Sequence, residues 1–171
     1  MISRRFILFF NASWLILMVA LAACSNSSGN QIVYSHFEKI STEGWDPMEM
    51  LVFEPTTSDS SAISGRGNKY DVELILRQSA NANIGKVPLV MTLDDYSGVS
   101  RSDTIVVDLS GEPEKSANIK KHYGVKETTV DAKHGVTLTE LSSISLSPLC
   151  RQEKTRGLLH VGIRISRINH N

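Results

Sequence analysis

The chain has 171 residues and carries 18 Lys+Arg against 18 Asp+Glu, so its formal net charge is zero. That balance excludes a strongly basic nucleic-acid binder and an acidic disordered tail. The length fits one domain, and two cysteines cannot build a disulfide-rich scaffold.

The N-terminus differs from the rest. Arg4 and Arg5 precede a run from Phe6 to Ala23 that is apolar except for Asn11 and Ser13. A positive flank, an apolar run and small residues at its end make a secretory signal. The run closes on Leu21-Ala22-Ala23-Cys24, which resembles the bacterial lipobox. The resemblance implies cleavage before Cys24 and acylation of its thiol and new amino group. A membrane-spanning helix is the rival reading, since eighteen residues just reach across a bilayer. Asn11 and Ser13 weaken it, and it leaves the position of Cys24 unexplained.

Removing residues 1–23 leaves 148 residues, with 16 bases against 18 acids and a net charge of −2. Such a chain buries enough surface for a real core without a disulfide. With Cys24 acylated, Cys150 stands alone. Free cysteine is most often a small buried hydrophobe. The rival reading is a reactive thiol whose pKa Arg151 lowers.

Residues 24–31 form the lipidated tether, and 32–168 the folded domain. Ser25 to Gln31 is small and polar, as a flexible linker is. Seven residues span at most about 25 Å, which holds the domain close to a membrane.

From Ile32 onward the dominant period is two. A short run, Met50 to Phe53, stops at Glu54-Pro55. Tyr70 to Arg77 sets Tyr70, Val72, Leu74 and Leu76 on one face and Asp71, Glu73 and Arg77 on the other. Val87, Leu89, Met91 and Leu93 share a face, as do Ile105, Val107 and Leu109. Val136 to Leu146 repeats the pattern with Val136, Leu138, Ile144 and Leu146. At the C-terminus Leu159, Val161, Ile163 and Ile165 alternate with His160, Gly162, Arg164 and Ser166.

Turn-like breaks cover Ser58 to Asn68, Asn81 to Gly85, Asp94 to Ser102 and Ser110 to His122. Within the last of these, the charges and Pro113 of Glu112 to Lys121 favour a solvated loop. One-sided alternation marks antiparallel strands. About seven strands at this spacing predict an all-β, antiparallel two-sheet β-sandwich. Pro88 lacks an N–H, so its strand is expected to be an edge or to begin there. The last strand lies so near the C-terminus that truncation beyond Ile163 is expected to unfold the domain.

No cofactor or metal signature stands out. His36, His122, His134, His160 and His170 lack short metal-ligand spacing. Two facing strands would bring His122, Asp131 and His134 together, but loop or surface histidines are the simpler reading. No Gly-x-Ser-x-Gly elbow occurs. Gly65-Arg66-Gly67 precedes a strand and fails the phosphate-loop context. Asp94-Asp95 reads as a turn before it reads as a calcium or acid–base pair.

Two aromatic residues stand out as a candidate interaction surface, Trp45 and Tyr96. Trp45 follows Gly44, and its preferred role is to anchor the N-terminal segment to the sandwich. In the rival role it stacks on a sugar, with Tyr96 as the second ring.

Several segments together resemble a known family. These are Val33-Tyr34-Ser35-His36-Phe37, Gly44-Trp45, the strand closing at Phe53, Asp103-Thr104-Ile105, Tyr123-Gly124, and Gly157 with Val161-Gly162-Ile163. They resemble the gliding-motility-associated lipoproteins of the GldH type from Bacteroidota. The chain departs from that family at Ala80 to Gly85, which lacks a Tyr-Pro-aromatic motif, at Cys150, where a Met is common, and at Gly111 to Lys121. The resemblance implies a non-enzymatic, lipid-anchored envelope protein whose partners are the membrane and other envelope proteins, linked to gliding and its associated secretion. No acidic run follows Cys24, which in that group favours the periplasmic face of the outer membrane over the cell surface. A glycan-binding sandwich is the alternative function.

Overall fold

The computed structural model describes residues 30–56, 59, 63, 67–110, 117–138, 141–149 and 153–169. Cys24 and Cys150 lie outside the described residues. Among the described residues nine strands run in chain order: β1 (Gln31–Lys39), β2 (Leu51–Phe53), β3 (Tyr70–Ser79), β4 (Lys86–Asp95), β5 (Ser100–Asp108), β6 (Ala117–His122), β7 (Val125–Val136), β8 (Leu141–Pro148) and β9 (Leu158–Arg167). They form a five-stranded sheet, β1-β9-β3-β7-β6, and a four-stranded sheet, β2-β8-β4-β5. Every pairing is antiparallel. The expected all-β two-sheet sandwich is the architecture.

The core lies between the sheets. Leu74 and Leu76 of β3, Leu89 and Met91 of β4, Ile144 and Leu146 of β8, and Val161 and Ile163 of β9 are completely buried. Successive side chains of a strand point to opposite faces, so the faces that the alternation assigned to β3, β4 and β9 are the ones that pack.

The strand count exceeds the expected seven, and the additional strands are those whose pattern is polar. In β7 the inward positions hold Lys126 and Thr128, both buried. The Lys126 ammonium donates to the Leu109 carbonyl at 2.7 Å, which satisfies a cation that would otherwise be costly to bury. Desolvation is the main cause that pulls its pKa below the ordinary lysine value, with Lys121 adding to the effect. With a lysine and a threonine inside, apolar alternation disappears from the sequence. β6 occupies part of the stretch expected to be a loop. It is an edge strand with little buried surface. β1 begins at Gln31 and so takes one residue from the expected tether.

Two further expectations are corrected. Pro88 sits in a strand flanked on both sides, by β5 and β8. The site tolerates it because the Pro88 backbone faces the end of β8. Its carbonyl accepts the Leu149 N–H at 2.9 Å there, and the β4–β8 ladder starts one residue later, at Leu89↔Pro148. In β9, Leu158 rather than Leu159 enters the core. The register shifts between Arg77↔His160 and Gln78↔Leu158, so Leu159 is the extra residue of a bulge.

Candidate functional site

Trp45 is completely buried, which corrects its assignment to an interaction surface. Its backbone pairs with Thr155 in both directions, at 3.1 and 3.0 Å, and its indole N–H donates to the Glu49 carbonyl at 3.2 Å. Gly44 makes this seat feasible. Its φ is +107°, and a Cβ there would stand 2.9 Å from the Thr155 carbonyl oxygen. The Gly-Trp pair anchors the N-terminal segment against the Thr155 backbone ahead of β9, and Trp45→Ala would cost about 3–5 kcal/mol.

Tyr96 is exposed, at the tip of the β4–β5 hairpin. The turn beneath it is built by Asp95, whose carboxylate accepts the Ser97 N–H and the Val99 N–H, each at 2.9 Å. Together with the Ser97 hydroxyl, these donors hold the Asp95 carboxyl below the usual carboxylate range. The Asp94-Asp95 pair is therefore turn architecture, as expected.

His122 and His134 do not meet. His122 pairs with Val125 at the β6–β7 turn, while His134 lies nine residues further along β7, about 30 Å away at strand rise. There its Nδ1 is 2.7 Å from the Asp71 carboxylate. Among the described residues no three His, Cys, Asp or Glu side chains converge.

The two outward faces of the sandwich differ in chemistry. Over the four-stranded sheet the outward positions are Val52 of β2, Ser143, Ser145 and Ser147 of β8, Val90 and Thr92 of β4, and Ser102, Thr104 and Val106 of β5. Hydroxyls bond one another here, with Thr92 to Ser102 at 2.8 Å. Asp94 near one end accepts Ser100 and Ser143, and Asp108 lies near the other.

Over the five-stranded sheet two rows of charged outward positions flank an uncharged row of Phe37, Gly162, Ile75, Thr129 and Asn118. Arg77 of β3 donates through Nε to Glu127 of β7 at 2.8 Å, and its guanidinium lies 4.0 Å from the centre of the Phe37 ring. Arg164 of β9 bonds Glu73 of β3 at 3.2 Å. A Cβ at Gly162 would meet the Phe37 ring at 2.4 Å, so glycine is what lets the ring lie on β9 and carry the arginine. A shallow groove lined by Arg77, Lys120, His122, Val125, Leu159 and His160 runs along the end of this face. Tyr123 also lines it and is 92% exposed.

The sequence placed Arg77 and His160 on wet faces, but the register that brings them side by side is a property of strand pairing. Lys120 went unread because its strand did. Comparison with protein-family models and with curated proteins finds no match for this chain.

Proposed function

We propose that the protein is a lipid-anchored component of the cell envelope that acts by binding other envelope proteins, of the gliding-motility lipoprotein type. The observation that carries this reading is Leu21-Ala22-Ala23-Cys24 at the close of an apolar run behind Arg4-Arg5. The folded sheet starts at Gln31, seven residues after that cysteine. The domain is then held within about 25 Å of the membrane, on the periplasmic face of the outer membrane.

The glycan-binding alternative depended on Trp45 as a stacking ring, and that ring lies in the core. Tyr96 alone makes no platform. A charged sheet face with an arginine on an aromatic ring supports a protein-binding role instead, since Arg and aromatic side chains are enriched where proteins meet.

More than one acyl chain is needed for stable anchoring. Cys24→Ala is expected to move the protein from the membrane to the soluble fraction after cell lysis. A Cys24→Ala protein that stays with the membrane would overturn the anchor.

A further inference from the structure

One register row crosses the entire five-stranded sheet. Lys39 of β1 pairs with His160 of β9, His160 with Arg77 of β3, Arg77 with Glu127 of β7, and Glu127 with Lys120 of β6. All five side chains point away from the core, because their strand neighbours Leu76, Val161 and Thr128 point into it. Strands lie about 4.8 Å apart, so Lys39, Arg77 and Lys120 are spaced by about 10 Å each along a line of about 19 Å. Lys39 and Lys120 are exposed. Arg77 is fixed by the Phe37 ring and by Glu127. Since Glu127 takes its Nε, the terminal amino groups are left for a ligand.

A second observation marks the same place. The β6–β7 turn is Tyr123-Gly124, with φ of +42° and +78°. Positive φ at both central residues of a two-residue hairpin loop is the type I′ turn, where Asn-Gly is the favoured pair. Tyrosine in the left-handed region is strained, and here its ring is almost fully exposed, against His122 at 4.0 Å between centroids. Among the described residues the ring that meets this side chain is that of its own neighbour His122, so the strain holds the tyrosine outward.

We propose that this row, with Tyr123 about 10 Å beyond Lys120 along the strand direction, docks an extended acidic segment of a partner protein. The proposal rests on the protein-binding reading and names the chemistry of the partner. A polyproline-II segment turns once every three residues and rises about 3.1 Å per residue. Carboxylates at i, i+3 and i+6 therefore stand on one side at about 9.3 Å intervals, which matches the three cations. A β-strand places same-side residues about 6.7 Å apart and does not match. Arginine and tyrosine are the side chains that dominate protein–protein contacts. The row also lies about 27 Å along β1 from the tether junction at Gln31.

The test uses the mature chain in detergent at low ionic strength and a fluorescent probe of sequence Glu-Pro-Pro-Glu-Pro-Pro-Glu, read by anisotropy. Binding is expected, and Lys39→Glu with Lys120→Glu should weaken it at least tenfold while the circular dichroism melt stays unchanged. Lys154→Glu, outside the row, should leave it within twofold. Tyr123→Asn should raise the melting temperature yet weaken binding severalfold, a pairing that a purely structural tyrosine would not show. The proposal is overturned if the probe does not bind, if the double variant binds like the parent, or if a peptide of the same composition with its three Glu contiguous binds as well. Anionic phospholipid vesicles that bind through the same row when the peptide does not would also overturn it. Because this assay does not depend on the anchor, its failure leaves the Cys24 experiment untouched, and the reverse holds.

Discussion

At Gly162 the backbone of β9 passes directly beneath the Phe37 ring, with no room for a Cβ. The ring in turn carries Arg77. Gly162→Ala is expected to displace the ring and cost about 1–3 kcal/mol, the usual range for overpacking. In a Phe37→Ala background the same substitution should cost much less, and urea unfolding of the four proteins measures that coupling. Tyr34 provides a second residue-scale expectation. Burial, with lesser contributions from Asp59, Glu38 and Glu54, pushes its phenol up to about 12, against an ordinary value near 10. Between these values the folded protein keeps a proton that the unfolded chain has lost, so stability declines as pH rises through that window. Tyr34→Phe should remove this part of the alkaline loss. A difference between the two proteins in urea midpoint that does not change from pH 9 to pH 11 would contradict the assignment. The residues that carry the family resemblance were legible as a pattern, and several have steric reasons. Gly44 avoids the Thr155 backbone, Gly157 avoids Ala82, and Gly162 avoids Phe37. They mark how the sandwich closes, which is why they locate no binding site by themselves.

The last strand holds the five-stranded sheet together, because β9 pairs with β1 on one side and β3 on the other. Val161, Ile163 and Ile165 are fully buried. Deleting residues 161–171 would remove those side chains and leave β1 without a neighbour. The 1–160 fragment is expected to lack a cooperative thermal transition, and a fragment that is soluble and melts sharply would show the expectation to be mistaken. This much was readable from alternation near the C-terminus. β7 was not, for a physical reason. Sequence periodicity reports apolar burial, and β7 buries Lys126 and Thr128 by giving the lysine a carbonyl partner instead. β1 and β6, at the two edges of their sheet, have one neighbour each and bury too few side chains to leave a clear period. Pro88 misled in the other direction. A missing N–H excludes a strand interior only where a partner carbonyl faces it, and here the neighbouring strand ends at that point.

At the scale of the molecule, a formal charge of zero for the full chain would become −2 on removal of residues 1–23, and that small number conceals a strong division. One outer face is hydroxyl-rich, with its charges, Asp94 and the Lys86–Asp108 ion pair, at the strand ends, whereas the other concentrates arginine, lysine, histidine and carboxylates in cross-strand rows. The division was invisible in the sequence because each row draws its residues from four or five strands far apart in the chain. The proposed address, by contrast, rests on a single stretch, since a signal of this kind is read locally as an extended peptide and not through a fold. The central claim is that Cys24 becomes the acylated first residue of a tethered sandwich. Mass spectrometry of the N-terminal peptide from the native membrane tests it most directly. The expected peptide begins at Cys24 and is heavier than its sequence by a diacylglyceryl group and a further acyl chain. A mature N-terminus elsewhere, or an unmodified Cys24, would contradict it.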